Sequence, residues 1–179
     1  QAGLRCTGEL SVTKYPGFDH LEPPDMETFS KAINGGHYPL SVLAISQQIS
    51  DKFQVGLYGN TMTSNPKALD VGTAVLNQIT PELKKNIVEK GNLMLDKFNL
   101  LKDKHSFIEK VTGTGLLLAI HLDKRIDVLK VERSLRIKGL NVIHGGKNAL
   151  RFTPWFYISS EEIDYICNLL DDEFKNYNN

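Results

Sequence analysis

Cysteine is scarce in this 179-residue sequence, and its scarcity removes the disulfide-rich and zinc-cluster classes of protein. Only Cys6 and Cys167 are present, and neither lies in a metal-ligand pattern. A chain of this length with 41% hydrophobic residues can bury a core without a disulfide. We therefore expect a reducing, cytoplasmic environment and no metal site.

The sequence also lacks an excess of charge of either sign. Its 21 basic residues balance its 21 acidic residues, which disfavours nucleic acid and anionic membrane surfaces as partners. The longest apolar run, residues 115–120, is far shorter than the roughly 20 residues that cross a bilayer, so no membrane span is expected. Small neutral or zwitterionic ligands remain open.

Residues 1–8 contain neither a methionine nor a hydrophobic signal region, so we expect a fragment or a cleaved product. Glycine, proline and aspartate in the first twenty-odd residues favour irregular structure. A short strand is expected at 26–30, and Lys31 follows it directly. Residues 38–46 are apolar enough for a buried strand, whereas 56–65 is rich in Gly, Asn, Thr and Ser and predicts an ordered, ligand-facing loop.

Capping signals then mark several helices. Asn65-Pro66 and Thr80-Pro81 are each typical of a helix start, and we expect a domain boundary near Thr80. Beyond it, strands are predicted at 107–111 and 115–122 around a turn at 112–114, a helix at 127–138, and short strands at 141–144 and 150–153. Ser159 begins a capping box for the last helix, which completes a small α/β domain at 81–179.

Lys31 is the most informative residue. It ends an extended run and enters a Gly-Gly turn, which places a lysine at a sheet edge with its amine towards a cleft, where it suits a covalent Schiff base. The block Phe29-Ser30-Lys31-Ala32-Ile33-Asn34-Gly35-Gly36-His37-Tyr38-Pro39-Leu40 resembles the cofactor-lysine segment of class III (ω-amino-acid) aminotransferases, the pyridoxal-phosphate enzymes that include ornithine and 4-aminobutyrate aminotransferases.

The resemblance implies that Lys31 binds the cofactor covalently and then acts as the catalytic base. A free lysine has a pKa of about 10.4, so such a site must lower that value or keep the amine bonded. The alternative is an ordinary loop lysine. Residues 1–8 are similar to the family pattern Gln-x-Gly-x-x-Arg-x-Gly, which implies that Gln1 lies near the phenolic oxygen of the cofactor; the alternative is a polar chain end with no role.

Two further residues carry the resemblance. Thr61, in Tyr58-Gly59-Asn60-Thr61-Met62-Thr63-Ser64-Asn65-Pro66, resembles the threonine that binds the cofactor phosphate of the neighbouring subunit. The alternative for Thr61 is a polar turn residue. Arg151, in Leu150-Arg151-Phe152-Thr153-Pro154, is similar to the arginine that clamps a substrate carboxylate. Its alternative is a structural salt bridge. Residues 155–157, Trp-Phe-Tyr, depart from the family pattern and either alter the pocket or pack the small domain.

By resemblance we expect an α/β fold of type I, in which 1–80 forms the late part of a large, mostly parallel-sheet domain. The implied cofactor is pyridoxal 5'-phosphate, with an amino acid or ω-amine as donor, a 2-oxo acid as acceptor, and a homodimer with shared active sites. Other cofactor-binding residues of the family precede Gln1, so the isolated fragment is expected to be inactive. An aminomutase, racemase or decarboxylase of the same fold, or an inactive fragment that keeps only the dimer surface, remain as alternatives.

Overall fold

A computed structural model describes residues 2–15, 17–18 and 20–177, and these residues form helices on a four-stranded sheet together with a separate two-stranded hairpin. Short 3-10 helices cover Val12–Lys14, Lys31–Asn34 and Lys175–Tyr177. The other elements, in chain order, are α1 Ala2–Thr7, β1 Met26–Phe29, β2 Val42–Ile45, α2 Gln47–Ser50, α3 Pro66–Asn77, α4 Pro81–Lys104, β3 Ile108–Thr114, β4 Leu117–Leu122, α5 Val128–Ile137, β5 Ile143–Gly145, β6 Ala149–Phe152 and α6 Ser160–Phe174.

The hairpin pairs β1 with β2 in antiparallel register, from Met26 opposite Ile45 to Phe29 opposite Val42. The expected strand at 26–30 is thus present, one residue shorter. The expectation of a buried strand at 38–46 is wrong for this chain, since every residue of β2 is exposed. The mostly parallel sheet is not seen among the described residues either, because the two strands that precede residue 80 run antiparallel.

The second half forms one antiparallel sheet with strand order β3-β4-β6-β5. Alternate residues of β4 are buried, as are Leu150 and Phe152 of β6, and they share one core with residues of α4, α5 and α6. The turn between β3 and β4 lies at Gly115 and Leu116 rather than at 112–114, because β3 continues through Thr114. Buried residues of this core include Ile87, Met94 and Phe98 of α4, Leu118 and Ile120 of β4, Leu150 of β6, and Ile163, Leu170 and Phe174 of α6.

The predicted helix starts are confirmed by their hydrogen bonds. Asn65 Oδ1 accepts from the N–H groups of the first turn of α3, and Thr80 Oγ1 accepts from the N–H of Leu83 in α4. Ser159 and Glu162 make both bonds of the predicted capping box, at 3.1 Å and 2.8 Å. These side chains satisfy backbone donors that the helices themselves leave unpaired.

The N-terminal segment is more ordered than the sequence indicated. Residues 2–7 form α1 instead of irregular structure, and α1 packs against α4 and against the β3–β4 hairpin. Glu9 holds this arrangement through a 2.7 Å ion pair with Lys84 on α4. Contacts of the first ten residues therefore reach the second half of the chain, and the domain division near residue 80 stays a prediction.

No helix among the described residues has both the length and the apolar character of a membrane span. The 24-residue α4 is long enough, but lysines and acidic residues occupy its outer face.

Candidate functional site

Lys31 lies at the junction between β1 and the 3-10 helix that follows, in a backbone conformation unusual for its residue type. Ser30 is extended, and Lys31 then turns to φ 62°, the left-handed region. A non-glycine residue in that region carries strain of about 1–3 kcal/mol, and such strain collects at functional sites. The short helix ends at Gly35, whose backbone is also in the left-handed region and whose N–H donates to the carbonyl of Ala32.

The ammonium group of Lys31 has no hydrogen bond or ion pair to another residue in the described part of the chain, and its side chain is exposed. A cleft of about 290 Å³ lies beside it, lined by its neighbours Ser30 and Ala32 but not by Lys31 itself. Val75 and Leu76 of α3 form another wall of this cleft. The expected enclosure of the amine is therefore not provided by the described residues alone.

Residues 155–157, whose role the sequence left open, line the same cleft as the residues that flank Lys31. Trp155, Phe156 and Tyr157 all line it, and the rings of Trp155 and Tyr157 lie 5.9 Å apart. About half of the surface of each of these two residues is exposed, at 59% for Trp155 and 50% for Tyr157. These two aromatic residues are therefore available to a ligand, and they differ in this from the fully buried aromatics of the core.

Thr61 lies in the loop before α3, where its side chain is exposed and has no hydrogen bond to another described residue. The loop is fastened by Asn60, whose Oδ1 accepts from the N–H of Met62 at 2.8 Å. Ser64 adopts φ 58°, a conformation that favours glycine. Thr61 does not line the cleft beside Lys31.

Arg151 is the second-to-last residue of β6, opposite Ala119 of β4 and Ile143 of β5. Its neighbours Leu150 and Phe152 point into the core, so Arg151 lies on the open face of the sheet. The guanidinium forms no ion pair or hydrogen bond with the described residues, so the structural salt bridge, the alternative role, has no partner there. Gln1 lies outside the described residues.

The structure thus brings the flanks of Lys31 and the segment after Arg151 to one cleft, whereas Thr61 stands apart in its own exposed loop. Sequence reasoning missed Arg5, which connects α1 to the segment after Arg151. Arg5 Nη1 donates to the carbonyl oxygens of Pro154 at 2.5 Å and Leu116 at 3.3 Å, and the guanidinium lies 4.6 Å from the centroid of the Phe156 ring.

Burial lowers the pKa of the Arg5 guanidinium, and the same desolvation raises the pKa of the neighbouring Cys6 thiol. Counted along the family pattern, Cys6 occupies the arginine position and Arg5 precedes it. That displacement by one residue is the sequence signal from which Arg5 could have been found.

Comparisons with known proteins identify the family of this chain. The family model described as Aminotransferase class-III matches residues 1–174. The acetylornithine aminotransferase of Clostridium acetobutylicum is 32% identical over 177 residues, which are 98% of this chain and 44% of that protein. The mitochondrial acetylornithine aminotransferase of Debaryomyces hansenii is 33% identical over 174 residues, 96% of this chain and 36% of that protein.

Solved structures give the same relationship. The ornithine delta-aminotransferase of Plasmodium falciparum superposes with a TM-score of 0.89 at 26% identity, over 99% of this chain and 46% of that one. The acetylornithine aminotransferase of Elizabethkingia anophelis gives 0.88 at 28% identity, over 98% and 46%. These matches confirm the expected type I fold. The chain spans less than half the length of the relatives that it matches, and it belongs to the class III aminotransferase family.

Proposed function

We propose that this chain is the C-terminal portion of a pyridoxal-phosphate-dependent aminotransferase that moves an amino group from an amino acid or ω-amine to a 2-oxo acid. One observation carries the proposal: Lys31 is held in a strained, left-handed conformation at the end of β1, and its amine is committed to no partner among the described residues. A surface lysine without a function needs no such strain.

The donor set of this chain fits the cofactor. Pyridoxal 5'-phosphate presents an aldehyde and a phosphate, and Lys31 supplies an amine for the first. Thr61 supplies for the second a hydroxyl that has no partner among the described residues, in a loop that leads into the N-terminus of the 12-residue α3. The bound cofactor supplies an electron sink that stabilises a substrate carbanion.

The proposed work of the protein follows from these side chains. Lys31 holds the cofactor until substrate arrives, and its released amine then moves a proton at the substrate carbon. Arg151 binds a substrate carboxylate, for which its planar fork of donors is suited. Gln1 is proposed to approach the phenolic oxygen of the cofactor.

We propose a homodimer in which Thr61 serves the neighbouring subunit. The loop before α3 supports this arrangement, because large apolar residues crowd its surface: Val55, Leu57, Tyr58 and Met62 are 102%, 68%, 64% and 81% exposed. A patch of this kind marks an interaction surface in a folded protein.

The relatives named as acetylornithine and ornithine aminotransferases suggest a diamino acid or its acetylated form as amino donor.

We propose a reducing cytosolic setting, which the free thiols of Cys6 and Cys167 support. Fractionation of cells with an antibody against this chain tests the compartment.

The experiment for the activity uses the full-length protein with added pyridoxal phosphate. We expect a visible absorbance band of the lysine-bound cofactor and transfer of amino groups to 2-oxoglutarate or pyruvate. Lys31→Ala abolishes both, whereas Lys52→Ala, which changes another exposed lysine, changes neither. A band without transfer, accompanied by an isomerised, racemised or decarboxylated donor, identifies another enzyme of this fold. Absence of both band and turnover in the wild type rules the function out.

A further inference from the structure

Arg5 joins three segments that are far apart in sequence. Its side chain leaves α1 and donates to Leu116 at the β3–β4 turn and to Pro154 beyond β6. Its own carbonyl accepts from the N–H of Leu116 at 2.8 Å. Arg5 therefore connects α1 to the hairpin turn through a main-chain bond and a side-chain bond. It connects α1 to the segment that follows Arg151 through a side-chain bond alone.

The contacts of Arg5 require an arginine rather than any cation. Among the described residues it has no carboxylate partner, and two carbonyls and the Phe156 ring solvate its half-buried charge instead. A guanidinium donates in several directions while it lies flat on a ring, which a lysine ammonium cannot reproduce.

The segment held by Arg5 has little regular structure of its own. β6 ends at Phe152, and residues 153–158 belong to no helix or strand. Two side chains hold this segment by its carbonyl groups: Arg5 bonds to Pro154, and Asn86 of α4 donates to the carbonyl of Phe156 at 2.7 Å. Arg151, three residues before Pro154, is held by its backbone in β6, but its side chain makes no bond to another described residue.

We propose that Arg5 is a positioning residue for Arg151: by fixing the backbone at Pro154 and the ring of Phe156, it sets the direction from which Arg151 meets the carboxylate of the 2-oxo acid. This inference rests on the proposed aminotransferase function and extends it to a residue that touches no substrate. Trp155, which follows Pro154 directly, lines the cleft and donates from Nε1 to Glu162 Oε2 at 3.4 Å.

Steady-state kinetics of the full-length enzyme test the proposal through Arg5→Met, Arg5→Lys and a matched control. Arg133→Met serves as the control, because Arg133 is exposed on α5 and makes no side-chain bond to a described residue. Misplacement of a binding group by about 1 Å costs up to about 100-fold, so Arg5→Met is expected to raise the KM for the 2-oxo acid by between about 10-fold and 100-fold. We expect a smaller change in kcat, an intermediate KM in Arg5→Lys, and no change in Arg133→Met.

A double-mutant cycle separates positioning from general stability. If Arg5 acts through Arg151, then Arg5→Met raises KM by less than about twofold in an Arg151→Gln background, because the two effects are not additive. An equal rise in both backgrounds, or no rise in either, overturns the proposal. Where Arg5→Met fails to fold, Arg5→Lys is carried through the same cycle. Cofactor absorbance and amino transfer of the wild-type enzyme are measured before any variant is compared. If the wild type shows neither, the proposed function is overturned together with the role of Arg5.

Discussion

Gly91, in the middle of α4, offers the sharpest test of the packing that brings α1 to the sheet. A Cβ atom at Gly91 would lie 2.4 Å from the Cα and carbonyl carbons of Gly115 and 2.5 Å from its oxygen. Gly115 in turn has φ 55°, and its own Cβ would lie 2.4 Å from the carbonyl oxygens of Arg5 and Cys6. Three backbones therefore meet where only hydrogen atoms fit between them.

The expected cost of Gly91→Ala follows from these distances. Carbon atoms pack at about 3.5–4.0 Å, so the new methyl group intrudes by more than about 1 Å against backbone that no side-chain rotation can clear. Overpacking of this kind costs about 1–3 kcal/mol or more, while alanine gains about 1 kcal/mol over glycine in a helix. Because the obstructing atoms are backbone atoms only 2.4–2.5 Å away, we take the upper end of that cost, about 3 kcal/mol, and after subtracting the helix gain expect a net loss of about 2 kcal/mol in the free energy of unfolding.

Urea denaturation of the full-length protein measures this loss. Gly59→Ala is the matched control, since no atom lies within 4 Å of the added carbon and its backbone is not left-handed. The control is expected to stay within about 0.5 kcal/mol of wild type. A Gly91→Ala protein as stable as the wild type would refute the close approach of α4 to the hairpin turn, and with it the contact that positions Arg5.

Two further substitutions test local features. Ser159→Ala removes one bond of the capping box and should lower the free energy of unfolding by about 1 kcal/mol; an unchanged urea midpoint would contradict the role of the cap. Glu173 is buried, which alone raises its pKa, but bonds from Lys138 and Ser134 outweigh burial and hold the pKa below its ordinary value. Its contribution to stability is thus full above the unfolded pKa of about 4.3 and is lost as pH falls through the lower folded value. The melting temperature of Glu173→Gln should lie below that of the wild type at pH 7 and approach it below pH 4. A difference in melting temperature that does not depend on pH would contradict the bonds of Glu173 with Lys138 and Ser134.

Local signals predicted the parts of the fold that depend on adjacent residues. Asn65, Thr80 and Ser159 each cap the helix that follows, because a cap needs only its own side chain and the next few N–H groups. The strands of the second half were also predicted close to their observed positions, since one face of that sheet is buried within this chain. The exposure of β2 was not predicted, because burial of an apolar strand depends on what covers it.

The features that matter most for the site were beyond local reasoning. The contact between Arg5 and Pro154 joins residues 149 positions apart, which no spacing rule reveals. The left-handed backbone of Lys31 is likewise imposed by its surroundings, since lysine has no preference for that conformation. For Lys31, Thr61 and Arg151, similarity to a family therefore identified the candidates, and the structure supplied their exposure and their lack of partners.

The central claim is that Lys31 forms the covalent bond to the cofactor. Treating the full-length protein with pyridoxal phosphate and then borohydride makes that bond permanent, and peptide mass spectrometry identifies the lysine that carries it. The account predicts the adduct on the peptide containing Lys31, at about one per chain. An adduct on any other lysine, or none at all, would contradict it.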